Sequence, residues 1–349
     1  MKSYFQIRKM GGESMNIYDI AREAGVSIST VSRVINNKSR VSQDTIEKVR
    51  RVMEENNYSP SPVARGLVNK SLKTIGIVTA DIRGQHYASV AYNILEELNT
   101  LGYNCLFCNA GYTEETQERN IRMMVQNCID GVIFIGSTFQ TEFIKDMIMR
   151  YISQLPVIMV NSNLDLPNTY SILCDDQKGL EVCVAFLTEH GHKNICYMAR
   201  KTMTASGERK MKGYMKALEV AKLKPCIIKG EHSIEGGRSM MEVALKQHRD
   251  TSAYIFEHDI QAVGGMNVLL TRKIKVPEDV EVITYNDSYL SMAVTPHLTC
   301  VNNKLQQIGI SAAHVLHKVL EGEEGAKTII YSPILLERDS TRHKLEQEK

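Results

Sequence analysis

Residues 16–37 constrain the fold of this chain more than any other stretch, because their pattern predicts two short helices joined by a tight turn. Gly25 follows the first apolar run, at the place where a left-handed residue is needed to end a helix. Ser27 comes shortly afterwards, and its hydroxyl can cap the second helix. The stretch therefore predicts a helix-turn-helix unit.

The second predicted helix separates an apolar face from a polar face. Val31, Val34 and Ile35 should face inward, which leaves hydroxyl, amide and guanidinium groups on the outer face. Such groups are what a helix in a DNA major groove presents to bases and phosphates. The spacing alone would also fit any pair of helices that has a polar face.

The neighbouring sequence favours the DNA-reading interpretation. Ser42 opens a third helix in which apolar residues recur at the helical period, and this helix supplies the three-helix core that so small a domain needs. Residues 58–67, YSPSPVARGL, predict a fourth and very short helix, with Ser61 as its cap and Pro62 at its first position.

In their order and spacing, these motifs resemble the LacI/GalR family of bacterial transcription regulators. The resemblance covers residues 15 to about 341 and rests on YDIAREAGVS, STVSRVINN, the VS of residues 41–42, YSPSPVARGL and TIGIV. It implies a small all-α helix-turn-helix headpiece plus hinge helix, followed by an α/β periplasmic-binding-protein-like core of two parallel-sheet subdomains. The implied ranges are a disordered extension at 1–14, the headpiece at 15–60, the hinge helix and linker at 61–72, the core at 73–341 and a tail at 342–349.

The resemblance also implies how the chain meets double-stranded DNA. A short hinge helix should fold only when two copies pack together on the duplex, so a homodimer that reads a pseudo-palindromic operator is expected. Leu67 of each hinge would insert between base pairs from the minor groove, with a core leucine as the alternative interpretation. The predicted DNA-binding residues are Tyr18, Ser27, Ile28, Ser29, Thr30, Arg33, Asn36, Ala64, Arg65 and Leu67.

The charge distribution agrees with a DNA-binding headpiece without establishing it. The whole chain has a formal net charge of +2, whereas residues 1–73 contain 13 Lys and Arg against 7 Asp and Glu. The sequence has no apolar run of the length that a signal peptide or a membrane span needs. A cytoplasmic protein with no membrane partner is therefore expected.

Motifs of cofactor, metal and hydrolytic chemistry are missing from the sequence. Neither of the glycine-rich phosphate loops is present, and there is no G-x-S-x-G elbow or H-E-x-x-H motif. Cys105 and Cys108 have metal-like spacing but lack a second pair, and His190-Gly191-His192 resembles the family's helix-ending Gly-His. We expect no enzyme activity, no cofactor and no metal. A solute-binding protein with the same core is the rival from another class, but it would lack the headpiece.

From residue 73 onward, short apolar runs alternate with helical stretches, which is the βαβ pattern of parallel sheets. Two groups of strands, before and after Asn161, predict a first subdomain at about 73–161 and 304–327 and a second at about 162–303 and 328–341. A small effector should bind between them, at the carboxyl ends of the strands. The effector expected is a sugar or a related metabolite that sets the operator affinity of a repressor.

Polar residues near the predicted strand ends match the family's effector contacts, with several departures. Lys210 holds the place of the family's usual Arg, and His258 replaces its usual Asn or Ser. Asn286 stands where the family has Asp, and an amide both donates and accepts hydrogen bonds where a carboxylate only accepts. A phosphocarrier protein is not a favoured partner, because the docking residues of that branch are not evident in residues 304–320. The predicted effector-binding residues are Asp81, His86, Tyr87, Asn161, Arg209, Lys210, His258, Asp259, Asn286 and Asp287.

Overall fold

A computed structural model describes residues 15–35, 41–56, 58 and 71–342. The chain divides into two compact units, and the division falls between Leu72 and Lys73. No helix in the described ranges is both long enough and apolar enough to cross a membrane.

The first unit contains three described helices, α1 (Ile17–Glu23), α2 (Ile28–Ile35) and α3 (Gln43–Glu55). The predicted turn is confirmed, because Gly25 has a left-handed φ of 62° and the Ser27 hydroxyl accepts a hydrogen bond from the backbone N of Thr30 at 3.2 Å. Ser42 caps α3 by accepting from the backbone N of Thr45. The helices enclose a small apolar core of Ile20, Ala21, Ala24, Val31, Val34, Val49 and Val52.

The second unit begins with alternating strands and helices. Its elements up to residue 174 are β1 (Thr74–Thr79), α4 (Gln85–Thr100), β2 (Asn104–Asn109), α5 (Glu114–Gln126), β3 (Gly131–Ile135), α6 (Glu142–Tyr151), β4 (Val157–Val160) and β5 (Thr169–Cys174). They are followed by α7 (Asp176–Glu189), β6 (Ile195–Arg200), α8 (Ala205–Ala221), β7 (Cys226–Gly230), α9 (Ile234–Gln247), β8 (Ala253–Phe256), α10 (Asp259–Thr271), β9 (Glu281–Tyr285) and β10 (Thr299–Asn302). The last elements are α11 (Leu305–Leu320), β11 (Thr328–Tyr331) and β12 (Ile334–Leu336).

These strands form two six-stranded sheets, as the predicted fold class requires. The first sheet has the order β11-β5-β4-β3-β1-β2 and is parallel throughout. Helices α4 and α11 cover one face of it and α5 and α6 cover the other. The second sheet has the order β12-β10-β9-β8-β6-β7 and is parallel except for β12, with α7 and α8 on one face and α9 and α10 on the other.

The predicted subdomain boundaries are wrong at two places. Strand β5 was expected to open the second subdomain, but it pairs in parallel with β4, and β11 pairs in parallel with β5. Only β12 of the final segment completes the second sheet, by pairing antiparallel with β10. Buried parallel strands all read as short apolar runs, so the sequence around Asn161 does not reveal which sheet edge receives the next strand. The predicted return of residues 304–320 to the first subdomain is confirmed, because α11 packs with α4.

Candidate functional site

The outer face of α2 carries the predicted DNA-contacting side chains of the first unit. Ile28 is 42% exposed, and Ser27, Ser29 and Arg33 are exposed beside it. The hydroxyl of Ser27 lies 2.7 Å from that of Ser29 and 2.8 Å from that of Thr30, so the start of α2 presents a linked group of hydroxyls. Thr30 itself is half-buried.

Tyr18 on α1 is 67% exposed, although aromatic side chains usually dominate the core of a small domain. Four other predicted DNA-binding residues lie outside the described residues, namely Asn36, Ala64, Arg65 and Leu67.

A cavity of about 260 Å³ lies in the second unit, between residues of its two subdomains. Asn161 follows β4 on one side, while Arg200 ends β6 and Asn303 follows β10 on the other. The carboxyl ends of parallel strands therefore line this cleft, as expected for an open α/β sheet. The predicted effector residues that line it are His86, Tyr87, Asn161, Lys210, His258, Asp259 and Asn286.

Three predicted effector residues do not line the cleft, and each of them is engaged by a charged partner. One carboxyl oxygen of Asp81 lies 2.7 Å from the guanidinium of Arg83. The carboxylate of Asp287 accepts from Asn302 at 2.7 Å and lies 2.5 Å from Nη2 of Arg338.

The third of these residues, Arg209, is directed at a buried carboxylate. Its Nε and Nη2 donate to Oδ2 of Asp176 at 3.2 and 2.9 Å. Asp176 also accepts from the hydroxyl of Tyr285 at 3.2 Å. Arg209 therefore holds Asp176, which itself lines the cleft, rather than reaching into the cavity.

His86 and Asn161 form a pair on the first-subdomain side of the cleft. Nδ2 of Asn161 lies 3.1 Å from Nε2 of His86. Burial lowers the pKa of His86 to about 4, so its imidazole is neutral near pH 7. Among the residues that the structure describes, neither Nδ1 of His86 nor Oδ1 of Asn161 has a hydrogen-bond partner.

A second polar chain crosses the other side of the cleft. Nδ2 of Asn303 donates to Oδ1 of Asn286 at 3.1 Å, and Nδ2 of Asn286 lies 2.9 Å from Nδ1 of His258. Because an amide nitrogen can only donate, Nδ1 of His258 must accept and its proton lies on Nε2. Nε2 in turn faces Oε1 of Glu257 at 3.6 Å. Burial holds the pKa of His258 well below its usual value, so this imidazole is also neutral.

Lys210 is an almost fully buried cation in the wall of the cleft, at 2% exposure. Its Nζ lies 3.9 Å from the centroid of the Tyr285 ring and 3.4 Å from the carbonyl oxygen of Glu257. Burial acts to raise the pKa of Glu257, but the contact with His258 and the charge of Lys210 outweigh it, so the pKa lies well below its usual value. Glu257 therefore stays ionised beside the ammonium group.

Asp259 lines the cleft but has both carboxyl oxygens occupied. Its Oδ1 accepts from the hydroxyl of Thr284 at 2.9 Å and its Oδ2 accepts from the backbone N of Ser288 at 2.8 Å. Burial raises its pKa to about 6. We interpret Asp259 as a residue that positions the end of β9 and the following loop.

Several cleft residues were missed by the sequence interpretation. They are Arg83, Ser137, Asp176, Arg200, Thr204, Ser206, His232, Glu257, Tyr289 and Asn303. The strand-end rule could have found Arg200, Glu257 and Asn303, since each ends or directly follows a strand of the second sheet. His232 and Ser206 carry no comparable signal, because they reach the cleft from the loops and first turns of α9 and α8.

Comparison with known proteins matches both units of the chain. Residues 16–61 match the model of bacterial regulatory proteins of the lacI family, and residues 72–339 match the model of periplasmic binding proteins and the sugar binding domain of the LacI family. An HTH-type transcriptional regulator of Lachnoclostridium phytofermentans is 32% identical over 94% of this chain and 99% of its own length. Catabolite control protein A of Priestia megaterium is 30% identical over 94% of this chain and 100% of its own.

Among solved structures, the lac repressor dimer bound to operator and the anti-inducer ONPF has the same fold, with a TM-score of 0.86. The two sequences are 23% identical, and the match covers 94% of this chain and 99% of the other.

Proposed function

The chain belongs to the lacI family of bacterial regulatory proteins and is a DNA-binding transcription regulator, and from this premise we propose that it is a ligand-controlled repressor. In this proposal a homodimer reads a pseudo-palindromic operator with α2, and a polyhydroxylated small molecule in the cleft sets the affinity for that operator. The observation that carries the ligand class is the set of buried polar atoms in the cleft that have no partner among the described residues.

The DNA side of the proposal is supported by the exposed face of α2. Arg33 offers a guanidinium that can form two hydrogen bonds with a guanine edge, and Ile28 offers an apolar contact for a thymine methyl group. Ser27 and Ser29 lie at the start of the helix, where recognition helices approach base edges. Tyr18 is exposed on α1 and is proposed to contact the sugar-phosphate backbone, as is Asn36.

The ligand side of the proposal follows from hydrogen-bond accounting in the cleft. Buried polar atoms are nearly always hydrogen-bonded, yet Oδ1 of Asn161, Oδ1 of Asn303 and Nδ1 of His86 have no partner in the part of the chain that is described. The two amide oxygens require donors, and the hydroxyls of a sugar are suitable donors of the right size. Neutral His86 and His258 add further polar groups without adding charge.

We propose that the cleft controls DNA binding through the hinge at residues 61–72. A helix this short is not stable alone in water, so a small change in the separation of two hinges can decide whether they fold on DNA. Ligand binding between the subdomains would rotate one subdomain against the other and change that separation. When the hinge helices unfold, Leu67 would leave the minor groove and operator binding would weaken.

Operator selection with the full chain, followed by ligand titration, tests this proposal. Sequences selected from random duplex DNA should contain two half-sites related by a pseudo-palindrome. A cleft ligand present at a hundred times its dissociation constant should add about 2.7 kcal/mol to the stability of the protein and should change operator affinity. Asn303→Ala should remove the ligand effect and keep operator selection.

Asn127→Ala, on an exposed residue at the end of α5, is the matched control and should retain both properties. Enrichment of no DNA sequence would contradict the proposed regulator, and equal ligand responses of the two variants would contradict the proposed cleft. Sedimentation of the full chain at micromolar concentration should give a dimer, and a monomer would contradict the proposed mode of operator reading.

A further inference from the structure

We propose that the cleft ligand carries a negatively charged group, a carboxylate or a phosphate, which the guanidinium of Arg200 binds. The inference rests on the proposed function, because it narrows the chemical class of the ligand in the same cleft. The ligand would then be an acidic carbohydrate derivative rather than a neutral sugar.

Arg200 is the last residue of β6, is half-buried and lines the cleft. Its backbone N donates to Oε2 of Glu257 at 2.7 Å, which fixes the strand end. Within the ranges that the structure describes, its guanidinium forms neither a hydrogen bond nor an ion pair. A guanidinium carries five donors and is always charged, so a half-buried one without a partner is poised for an anion.

The other two arginines near the cleft are already neutralised. Nη2 of Arg83 lies 2.7 Å from a carboxyl oxygen of Asp81, and Nη2 of Arg209 lies 2.9 Å from a carboxyl oxygen of Asp176. Of these three arginines, Arg200 is therefore the one whose guanidinium has no carboxylate partner among the described residues. After burial, the charge of Arg200 is the next contribution that lowers the pKa of His232, which lines the same cleft.

Apart from the paired Arg83, the cleft wall holds two cations, Lys210 and Arg200. Lys210 is buried and has no carboxylate at ion-pair distance among the described residues. Glu257 is ionised and accepts from the backbone N of Arg200. Asp259, with a pKa of about 6, is also largely ionised at pH 7, but its two oxygens are occupied by Thr284 and Ser288. The formal charges of these four side chains balance, but neither carboxylate pairs with the guanidinium of Arg200, which leaves that group available to an anion.

The start of α4 adds to the positive potential in the cleft. Its N-cap, Gly84, provides no side-chain hydrogen bond, its first turn contains no acidic residue, and residues of that turn line the cavity. Free backbone N–H groups at helix starts favour anions. Independently, Asn161 and Asn303 are each more than nine-tenths buried, and each has an unpartnered amide oxygen that can accept a hydrogen bond from a ligand hydroxyl. Hydroxyls and an acid group together describe a sugar acid or a sugar phosphate.

Calorimetry on the full chain with matched ligand sets tests the inference. Each set contains an aldohexose or aldopentose, the corresponding sugar acid and the corresponding terminal phosphate. With the wild type, one acidic member of a set should bind at least about tenfold more tightly than its neutral member, a ratio that corresponds to about 1.4 kcal/mol. Arg200→Gln should reduce that ratio to within about twofold and leave the affinity for the neutral member unchanged. A higher affinity for the sugar acid identifies a carboxylate as the charged group of the ligand, and a higher affinity for the terminal phosphate identifies a phosphate.

Arg272→Gln is the matched control, because Arg272 lies outside the cleft lining and its guanidinium is already paired with Glu242 at 2.8 Å, and it should keep the preference for the acid. Equal affinity for acidic and neutral members in the wild type, or an unchanged ratio in Arg200→Gln, would overturn the inference and leave the proposed function intact. Binding of no carbohydrate of either kind would overturn both the inference and the carbohydrate class in the proposed function.

Discussion

Replacement of Arg33 by alanine tests whether α2 reads base sequence. Arg33 is exposed on the outer face of α2, next to the buried Val34, so truncation removes no core packing. The free energy of unfolding should therefore change by no more than about 0.5 kcal/mol. If the guanidinium contacts a guanine edge, specific binding should weaken by about 1–3 kcal/mol, which is about 5- to 150-fold.

The assay is fluorescence anisotropy with three DNAs of equal length: the selected operator, operators changed at single positions, and a random duplex. Arg33→Ala should relax the preference at one position in each half-site and should have little effect on the random duplex. A phosphate contact would instead weaken all three DNAs alike and would lower the slope of log affinity against log salt by about 1.

Arg22→Ala on α1 is the control for loss of one positive charge in the same unit. Arg22 is exposed and lies 2.8 Å from Asp19, an ion pair that should contribute less than about 1 kcal/mol to stability. Equal weakening of operator and random DNA by Arg33→Ala would refute base reading by Arg33. An unchanged affinity for both DNAs would remove Arg33 from the proposed interface.

Three further predictions concern the hinge, the cleft and the packing of the core. Leu67→Ala should abolish tight operator binding without lowering the melting temperature or the ligand affinity of the free protein. A lower melting temperature would instead identify Leu67 as a core leucine, because truncating a buried leucine costs about 2–5 kcal/mol. The pKa of His86 is about 4 in the folded protein and 6.5 in the unfolded chain, so the unfolded chain binds a proton more readily. The contribution of neutral His86 to the free energy of unfolding should therefore be complete above pH 6.5 and should fall as the pH drops toward 4. Thermal melting of His86→Gln should depend less on pH over that range than melting of the wild type, and an identical dependence would contradict the assignment. Gly213→Ala would place a Cβ 2.1 Å from the carbonyl oxygen of Gln177, where α7 and α8 approach closely. The substitution should lower the free energy of unfolding in urea by about 1–3 kcal/mol. An unchanged urea midpoint would refute this close approach of the two helices.

The headpiece could be predicted from sequence because its signals act over a few residues. A left-handed glycine at 25, a hydroxyl cap at Ser27 and another at Ser42 each need only their own turn of chain. Helical periodicity likewise identifies the buried side of α3 without knowledge of what covers it. Strand-end polarity also located much of the cleft, since parallel strands bring their carboxyl ends to one edge. The family resemblance supplied the order in which these pieces are joined.

Only the tertiary structure decided which polar groups in the cleft are free. Asp287 follows a strand as Asn161 does, but Arg338 reaches it from 51 residues away, and this partner leaves no mark near Asp287 in the sequence. Arg200 ends a strand without such a partner among the described residues, and its guanidinium faces the cleft. The misplaced β5 and β11 have a similar cause, because membership of a sheet is set by backbone hydrogen bonds to another strand, which is the preceding β4 for β5 and the distant β5 for β11. Local patterns specify what a segment becomes, whereas charge pairing and strand pairing are settled by the neighbours that folding brings beside it.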